Sequence, residues 1–471
     1  MRTNADRPQP MIASWDVPAS GPIAERLLPV SNSEEGIDNH GSVLQLVALA
    51  DLKYRVALDE KVHRSSWQQT TLVVTAEVMG AGVLALPYAF SKLGWLLGVL
   101  SCTLFAATAI YAGVLLARVR NFMYPAAVSY ADLAMQIVGP RFSAFTKACC
   151  LSTWGLLLPY YLITANNALA GALGPALHIC GWQRALLVVA LLTVPLQMRD
   201  LHLISYAATL STLSTFAVVG TASIALVIQA KGKPTIYSTP LLPDQSMTFL
   251  DLYGQFARII FAYQGQSIFC EIMREMRDSR DFPRAVLIGN TLMMGVYLVF
   301  VVICNATDGT RVAPFIPDSL DGITKVAVNA FIVYITTVAY VITGQPLHRA
   351  IHKALSPSTV DARGVAAALP WLAITTSTLL LAYLVANAVP FFSDFQGLLG
   401  ALTGAPIVFG WPAFFFLRAC KLKRVVVPAV DRIVCYIFLL LFLPVFTLFG
   451  CVNALMDIAN DWASNGPPFS C

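Results

Sequence analysis

Charge is scarce in this sequence. Only 12% of its 471 residues are Asp, Glu, Lys or Arg, where a soluble domain carries about a quarter. The net charge of +5 gathers in no basic tract, so nucleic acid has no footprint here. The ten cysteines are scattered singly apart from Cys149-Cys150 and include no C-x-x-C pair, which indicates neither a metal cluster nor a disulfide framework. H-E-x-x-H, G-x-S-x-G, a P-loop and an acid–His cluster within the apolar segments are all missing, and with them the signs of an enzyme. No repeated filter sequence suggests a channel. The first 65 or so residues are polar and lack the apolar core of a cleavable signal peptide.

What the chain has in excess is apolar surface, at 57% of residues. A bilayer core needs about 20 apolar residues per helix. Eleven segments meet this, over 68–91, 94–118, 143–172, 184–198, 202–229, 251–275, 283–304, 323–353, 366–389, 395–419 and 430–456. Backbone polar groups in lipid must bond internally, so the fold class is all-α integral membrane. Residues 1–65 read as a cytosolic tail, disordered over 1–41, with a short helix over 43–58.

Loop charge sets the orientation. Alternate loops hold seventeen basic residues, among them Arg118, Arg141, Arg199, Arg277, Arg349, Lys421 and Arg432. The opposite loops hold six: Lys92, Arg184, Lys231, Lys233, Arg311 and Lys325. This places the N-terminus in the cytosol and, after eleven spans, the C-terminus outside or in a lumen. Asn305-Ala306-Thr307 is a glycosylation sequon on the side expected to be non-cytosolic.

Two segments are interrupted. The first carries TAEVMGAGVLALPYAF over 75–90, with Gly80, Gly82 and Pro87 inside an apolar run. The sixth carries Tyr263-Gln264-Gly265-Gln266 at its centre. The second break follows five helices after the first, and the two segments run in opposite directions. That is the pattern of a 5+5 inverted repeat, helices 1–5 within 66–229 and 6–10 within 230–419, with helix eleven extra in 420–471. Paired broken helices at matching positions mark a transporter site near the bilayer midplane. Unwound backbone exposes N–H and C=O groups that suit a small zwitterion.

The motifs also resemble a known family, the amino acid/auxin permeases, especially plant lysine/histidine-type members. GAGVLALPYAFSKLGW (80–95) resembles the family's first-helix motif. FAYQGQSIFCEI (261–272) resembles its sixth. VNAFIVYITTVAYVITGQP (328–346) resembles the eighth, Ala405-Pro406 with Pro412 the tenth, and Tyr161-Leu-Ile-Thr164 the third. The resemblance covers about 65 to 455. It implies secondary active transport of amino acids across the plasma or a vacuolar membrane, with protons or, in some branches, sodium. It implies no cofactor and no obligate protein partner; the partners are the amino acid and the surrounding lipid. Three places depart from the family. Gln266 stands where plant members have His, Glu77 where a small or apolar residue is usual, and Val338-Ala339 where Gly-Ser is common.

The candidate site follows. Gly80, Ala81, Gly82 and Val83 form a carboxylate cradle, with the Gly82 and Val83 N–H groups as donors. The carbonyls of Phe261 and Ala262 and the exposed group at Tyr263 receive the ammonium. Gln264 and Gln266 either donate to substrate or satisfy the broken helix. Glu77 is an intramembrane acid, either a coupling and gating group or a packing acid bonded to a neighbour. Glu271 is an inner-gate acid or a partner of nearby arginines. Arg258 is an outer-gate cation, a counter-ion to Asp251, or a snorkelling structural residue. Tyr161 either closes over the substrate or packs in the core. Thr336 and Thr337 complete a sodium cage or bond their own backbone. Tyr88, Phe90 and Tyr263 nearby tolerate large neutral side chains. A proton-coupled symporter of neutral amino acids is the leading reading. A sodium-coupled transporter and an amino acid sensor without flux are the alternatives.

Overall fold

A computed structural model of the chain describes residues 65–174, 179–198, 201–231, 238–243, 247–360, 365–465 and 469. The expected tail over 1–41 and helix over 43–58 lie outside the described residues. Among those described, every regular element is helical, and the one β contact is an isolated bridge between Ser65 and Met276. Eight helices there are long and apolar enough to cross a membrane, beginning with Gly82–Met123 and ending with Ala429–Ser464. The expected first, fourth and sixth segments are built from shorter pieces.

The first begins at Ser66, whose hydroxyl accepts from Gln69 N while the Gln69 side chain accepts from Ser66 N. This capping box opens α1 (Trp67–Val78). The helix stops at Met79 and Gly80, a short 3-10 turn covers Ala81–Ala85, and α2 (Leu86–Arg118) resumes. Gly94 takes φ 74° within α2 and turns the chain sharply. A Cβ there would lie 2.8 Å from the Leu242 backbone, and Trp95 N and Leu96 N bond Pro240 O and Leu241 O. The corner between the expected first and second segments is thus held by the 238–243 loop.

A short helix α3 (Tyr130–Ile137) leads into the long α4 (Pro140–Leu173). Next come α5 (Gly181–Thr193) and α6 (Leu201–Ala230). With only 13 residues, α5 would strand its last carbonyls in an apolar setting. Long polar side chains meet the backbone just beyond it: Trp371 Nε1 donates to Leu196 O at 3.2 Å and Gln345 Nε2 to Met198 O at 2.8 Å.

The sixth segment is α7 (Phe249–Ala262), a break at Tyr263–Gly265, a 3-10 turn over Gln266–Ile268, and α8 (Phe269–Glu275). Its far end is clipped to the start of α1, because Ser65 N donates to Glu275 O and Arg277 N to Ser65 O. Then follow α9 (Phe282–Thr307), α10 (Gly322–Leu355) and α11 (Val365–Ala388). α10 packs along α4 and α6, and α9 along α1 and α2. The tenth segment is α12 (Phe392–Leu399), two π-helical turns at Gly400–Gly404 and Pro406–Gly410, and α13 (Trp411–Lys423). The last combines α14 (Ala429–Ile437) and α15 (Leu443–Asn465), and α15 lies against α7.

One expectation about cysteine needs correcting. Cys180, at the start of α5, is disulfide-bonded; a cysteine outside any closely spaced pair gives no pattern signal of such a bond.

Candidate substrate site

The two breaks meet. A Cβ on Gly82 would lie 3.3 Å from the Phe261 ring and 3.4 Å from Ala262 Cα, and one on Gly265 would collide with Val78 Cγ2. Glycine at these positions lets one interrupted backbone approach the other. Around Gly80, by contrast, nothing lies within 4 Å of a Cβ position. Open space therefore adjoins the first break, where the first N–H groups of the Ala81–Ala85 turn lack partners within the helix. Val83 differs from expectation, since its N–H already donates to Gly80 O, at 3.5 Å.

On the sixth segment each expected carbonyl already accepts one hydrogen bond. Gln264 N donates to Phe261 O at 3.1 Å, the Tyr297 hydroxyl to Ala262 O at 3.1 Å, and Gln266 Nε2 to Tyr263 O at 3.3 Å. A carbonyl oxygen has two lone pairs, so one place on each remains. The Tyr263 side chain turns away toward α2, 3.1 Å from Cys102 Sγ, and packs on Tyr297. Gln266 is fully buried and mends its own helix, with Oε1 accepting from Gly265 N at 2.9 Å while Nε2 serves Tyr263 O. Gln264 turns to the tenth segment and donates to Thr403 Oγ1 at 3.2 Å.

Two residues that carry no signal in the sequence hold this centre together. Gln396 of α12 is fully buried. Its Nε2 donates to Gly82 O at 3.1 Å and Arg258 O at 3.4 Å, and its Oε1 lies 3.3 Å from the Tyr160 hydroxyl, which donates to it. Tyr160, not Tyr161, stacks on Phe392 and meets the Phe261 ring edge-on at 5.0 Å. One amide thus ties the first, third, sixth and tenth segments together. No local pattern marks Gln396, whose partner Gly82 lies 314 positions away.

On the same side, Arg258 is a latch and not the partner of Asp251. Its Nε donates to Ser393 O at 3.0 Å, and its Nη2 lies 3.0 Å from Asp394 Oδ1 and 3.5 Å from Asp457 Oδ2. Asp251 instead caps α7, accepting from Thr248 N at 2.8 Å.

Glu77 is exposed on α1, three residues before Gly80 of the first break. Tyr161 of α4 is half-buried and faces Thr343 and the carboxyl of Glu77. Glu271 sits apart, among Arg274, Glu275 and Asp132, with Oε2 buried and unpaired. Thr336 donates to Ile332 O at 2.7 Å and Thr337 to Val333 O at 2.7 Å. Both hydroxyl protons thus serve their own helix, while the oxygen lone pairs that a cation would use stay uncommitted.

Asn305 fails as a glycosylation site. It is buried, its Nδ2 donates to Pro87 O at 3.1 Å and Val301 O at 3.0 Å, and its Oδ1 accepts from Thr239 at 2.9 Å. The amide that a glycan would occupy is the one that joins α9 to α2.

These features define a multi-pass helical membrane protein whose centre is a pair of touching helix breaks. The chain belongs to the family described as transmembrane amino acid transporter protein, whose model matches residues 63–452. The resemblance to amino acid/auxin permeases read from the motifs is therefore right, and the family is one of transporters, not enzymes. Among curated relatives, amino acid transporter AVT3A of Arabidopsis thaliana is 24% identical over 365 residues, covering 76% of this chain and 82% of its own length. The N amino acid transport system protein of Neurospora crassa is 21% identical over 381 residues, covering 77% and 78%. Among solved structures, the inward facing conformation of Mhp1 superposes with a TM-score of 0.53 at 12% identity, over 87% of this chain and 94% of that one. That likeness concerns the fold alone.

Proposed function

We propose that this protein is a secondary active symporter of amino acids that works by alternating access, with eleven spans arranged as a 5+5 inverted repeat. The observation that carries this reading is the meeting of the two breaks, with open space at Gly80 and different closures on the two sides. In this reading the substrate carboxylate rests on the N–H groups of Ala81 and Gly82, since Gly80 N already donates to Val78 O at 2.9 Å, and the ammonium takes the remaining lone pairs of Phe261, Ala262 and Tyr263. Gln396 and the Arg258–Asp394 pair close the outer side, and the path past Glu77 leads to the cytosol. Both ends of the substrate are thereby met by backbone, which suits α-amino acids with a neutral side chain.

The coupling ion in this reading is a proton. Gln266 cannot titrate, which leaves Glu77 as the acid nearest the first break to carry it. Glu77 stands three residues before the break and is exposed on α1. Purified protein in proteoliposomes should accumulate labelled neutral amino acids when the outer pH is lowered, and not in response to sodium. Glu77→Gln should flatten the pH dependence of uptake while amino acid binding persists. Binding without gradient-driven accumulation would leave a sensor in place of a symporter.

A further inference from the structure

Beyond Arg258, away from the breaks, lies a cavity of about 520 Å³, within the roughly 300–1,000 Å³ of small-ligand pockets. Its charged lining is uneven. Lys92 and Arg258 face Asp251, Asp318, Asp394, Asp457 and Asp461. Lys92 sits over the Tyr88 ring at 5.4 Å, and Asp318 is 3.9 Å from Lys325. The floor is poorly satisfied. Gln255, Arg258 and Ser393 all line the cavity, and each keeps a buried polar atom without a partner: Oε1, Nη1 and Oγ respectively. Buried polar atoms left unpaired usually mean that something else completes them.

We infer that this cavity is a docking subsite for amino acids without net negative charge, which bind Arg258 through their carboxylate before reaching the breaks. The inference rests on the amino acid transport reading and adds a selectivity step to it. The geometry offers the carboxylate one place. Asp457 is partly exposed and only 3.5 Å from Arg258 Nη2, whereas Asp394 is buried deeper at 3.0 Å. Asn453 Nδ2 also holds Asp457, at 2.8 Å. A ligand carboxylate entering from the cavity therefore displaces Asp457 from the guanidinium and leaves Asp394 in place. The Tyr88 ring, 5.8 Å from the guanidinium carbon, flanks that position.

Charge then decides which ligands enter. A carboxylate alone is repelled by five aspartates facing two cations. A zwitterion brings an ammonium that Asp251, Asp457 and Asp461 receive. A cationic side chain adds attraction, and an acidic one restores the repulsion. Glutamate and aspartate are turned away at this step, before they reach the breaks.

Asn460 lines the cavity and is exposed, so Asn460→Cys reports occupancy through its reaction with a membrane-impermeant maleimide, read against the protein with Asn460 intact. In full-length reconstituted protein, L-alanine and L-lysine at ten times their Kd should slow labelling about tenfold, the free fraction being about one in eleven. L-glutamate should not slow it. Protection should survive Gly82→Val, which fills the contact between the breaks, and disappear with Arg258→Met. Should Arg258→Met fail to fold, Asp461→Asn should weaken protection by lysine more than by alanine. Labelling indifferent to every amino acid, in a protein that still transports them, overturns the subsite and leaves transport standing. Loss of protection in Gly82→Val also overturns it, by assigning protection to the breaks. Protection without any uptake keeps the subsite and removes the transport reading.

Discussion

Asn305 donates to the carbonyls of Pro87 and Val301 and accepts from Thr239, so a single side chain joins α9 to α2 and to the loop that holds the Gly94 corner. Replacing it with alanine leaves these groups unmatched in an apolar setting, where each unsatisfied group costs about 1–3 kcal/mol. Asn305→Ala should accordingly lower the unfolding temperature of the purified protein in detergent. Glycosidase treatment of the native protein should produce no shift attributable to Asn305; a glycan found there would refute the buried placement. The sequon misleads because the tripeptide pattern contains nothing about burial. Neighbouring tyrosines show a similar limit. Tyr160 and Tyr161 look alike in the sequence, but helical rotation sends one to Gln396 and Phe261 and the other toward Glu77.

The breaks themselves were legible, because glycine and consecutive polar residues inside an apolar run disfavour a continuous helix. What holds them together was not. Gln396, Asp394 and Asp457 belong to elements distant in sequence, and ordinary local patterns surround each of them. The π-helical turns after Leu399 were likewise unmarked, though they place Gly400 where a Cβ would collide with Ala257 O. Here the tenth segment presses directly on the backbone leading into the second break. Gly400→Ala has nothing flexible to displace and should cost at least the roughly 1–3 kcal/mol of an overpacked core. It should also reduce uptake more than it reduces surface expression, because the displaced backbone includes the Gln396 tie. Equal losses of uptake and expression would confine the effect of Gly400 to folding.

At the scale of the whole molecule, orientation is the property that no single helix contains. Basic residues fall seventeen to six between alternate loops, and Cys180, next to Arg184 of the sparse set, is disulfide-bonded. Disulfides persist in oxidising compartments, outside the cell or in a lumen, so two independent kinds of evidence favour the same side for that loop. In the proposed orientation the acidic cavity beyond Arg258 faces outward, and the clip between Ser65 and the end of α8 faces the cytosol. Asp321 and Arg280 are both exposed, in loops assigned to opposite sides. In sealed cells with the chain at the plasma membrane, Asp321→Cys should react with a membrane-impermeant maleimide from outside. Arg280→Cys should react only after permeabilisation. The reverse pattern would invert the topology and turn the Arg258 latch into a cytosolic gate. Under that inversion the acidic cavity would select what leaves from the cytosol instead of what enters from outside.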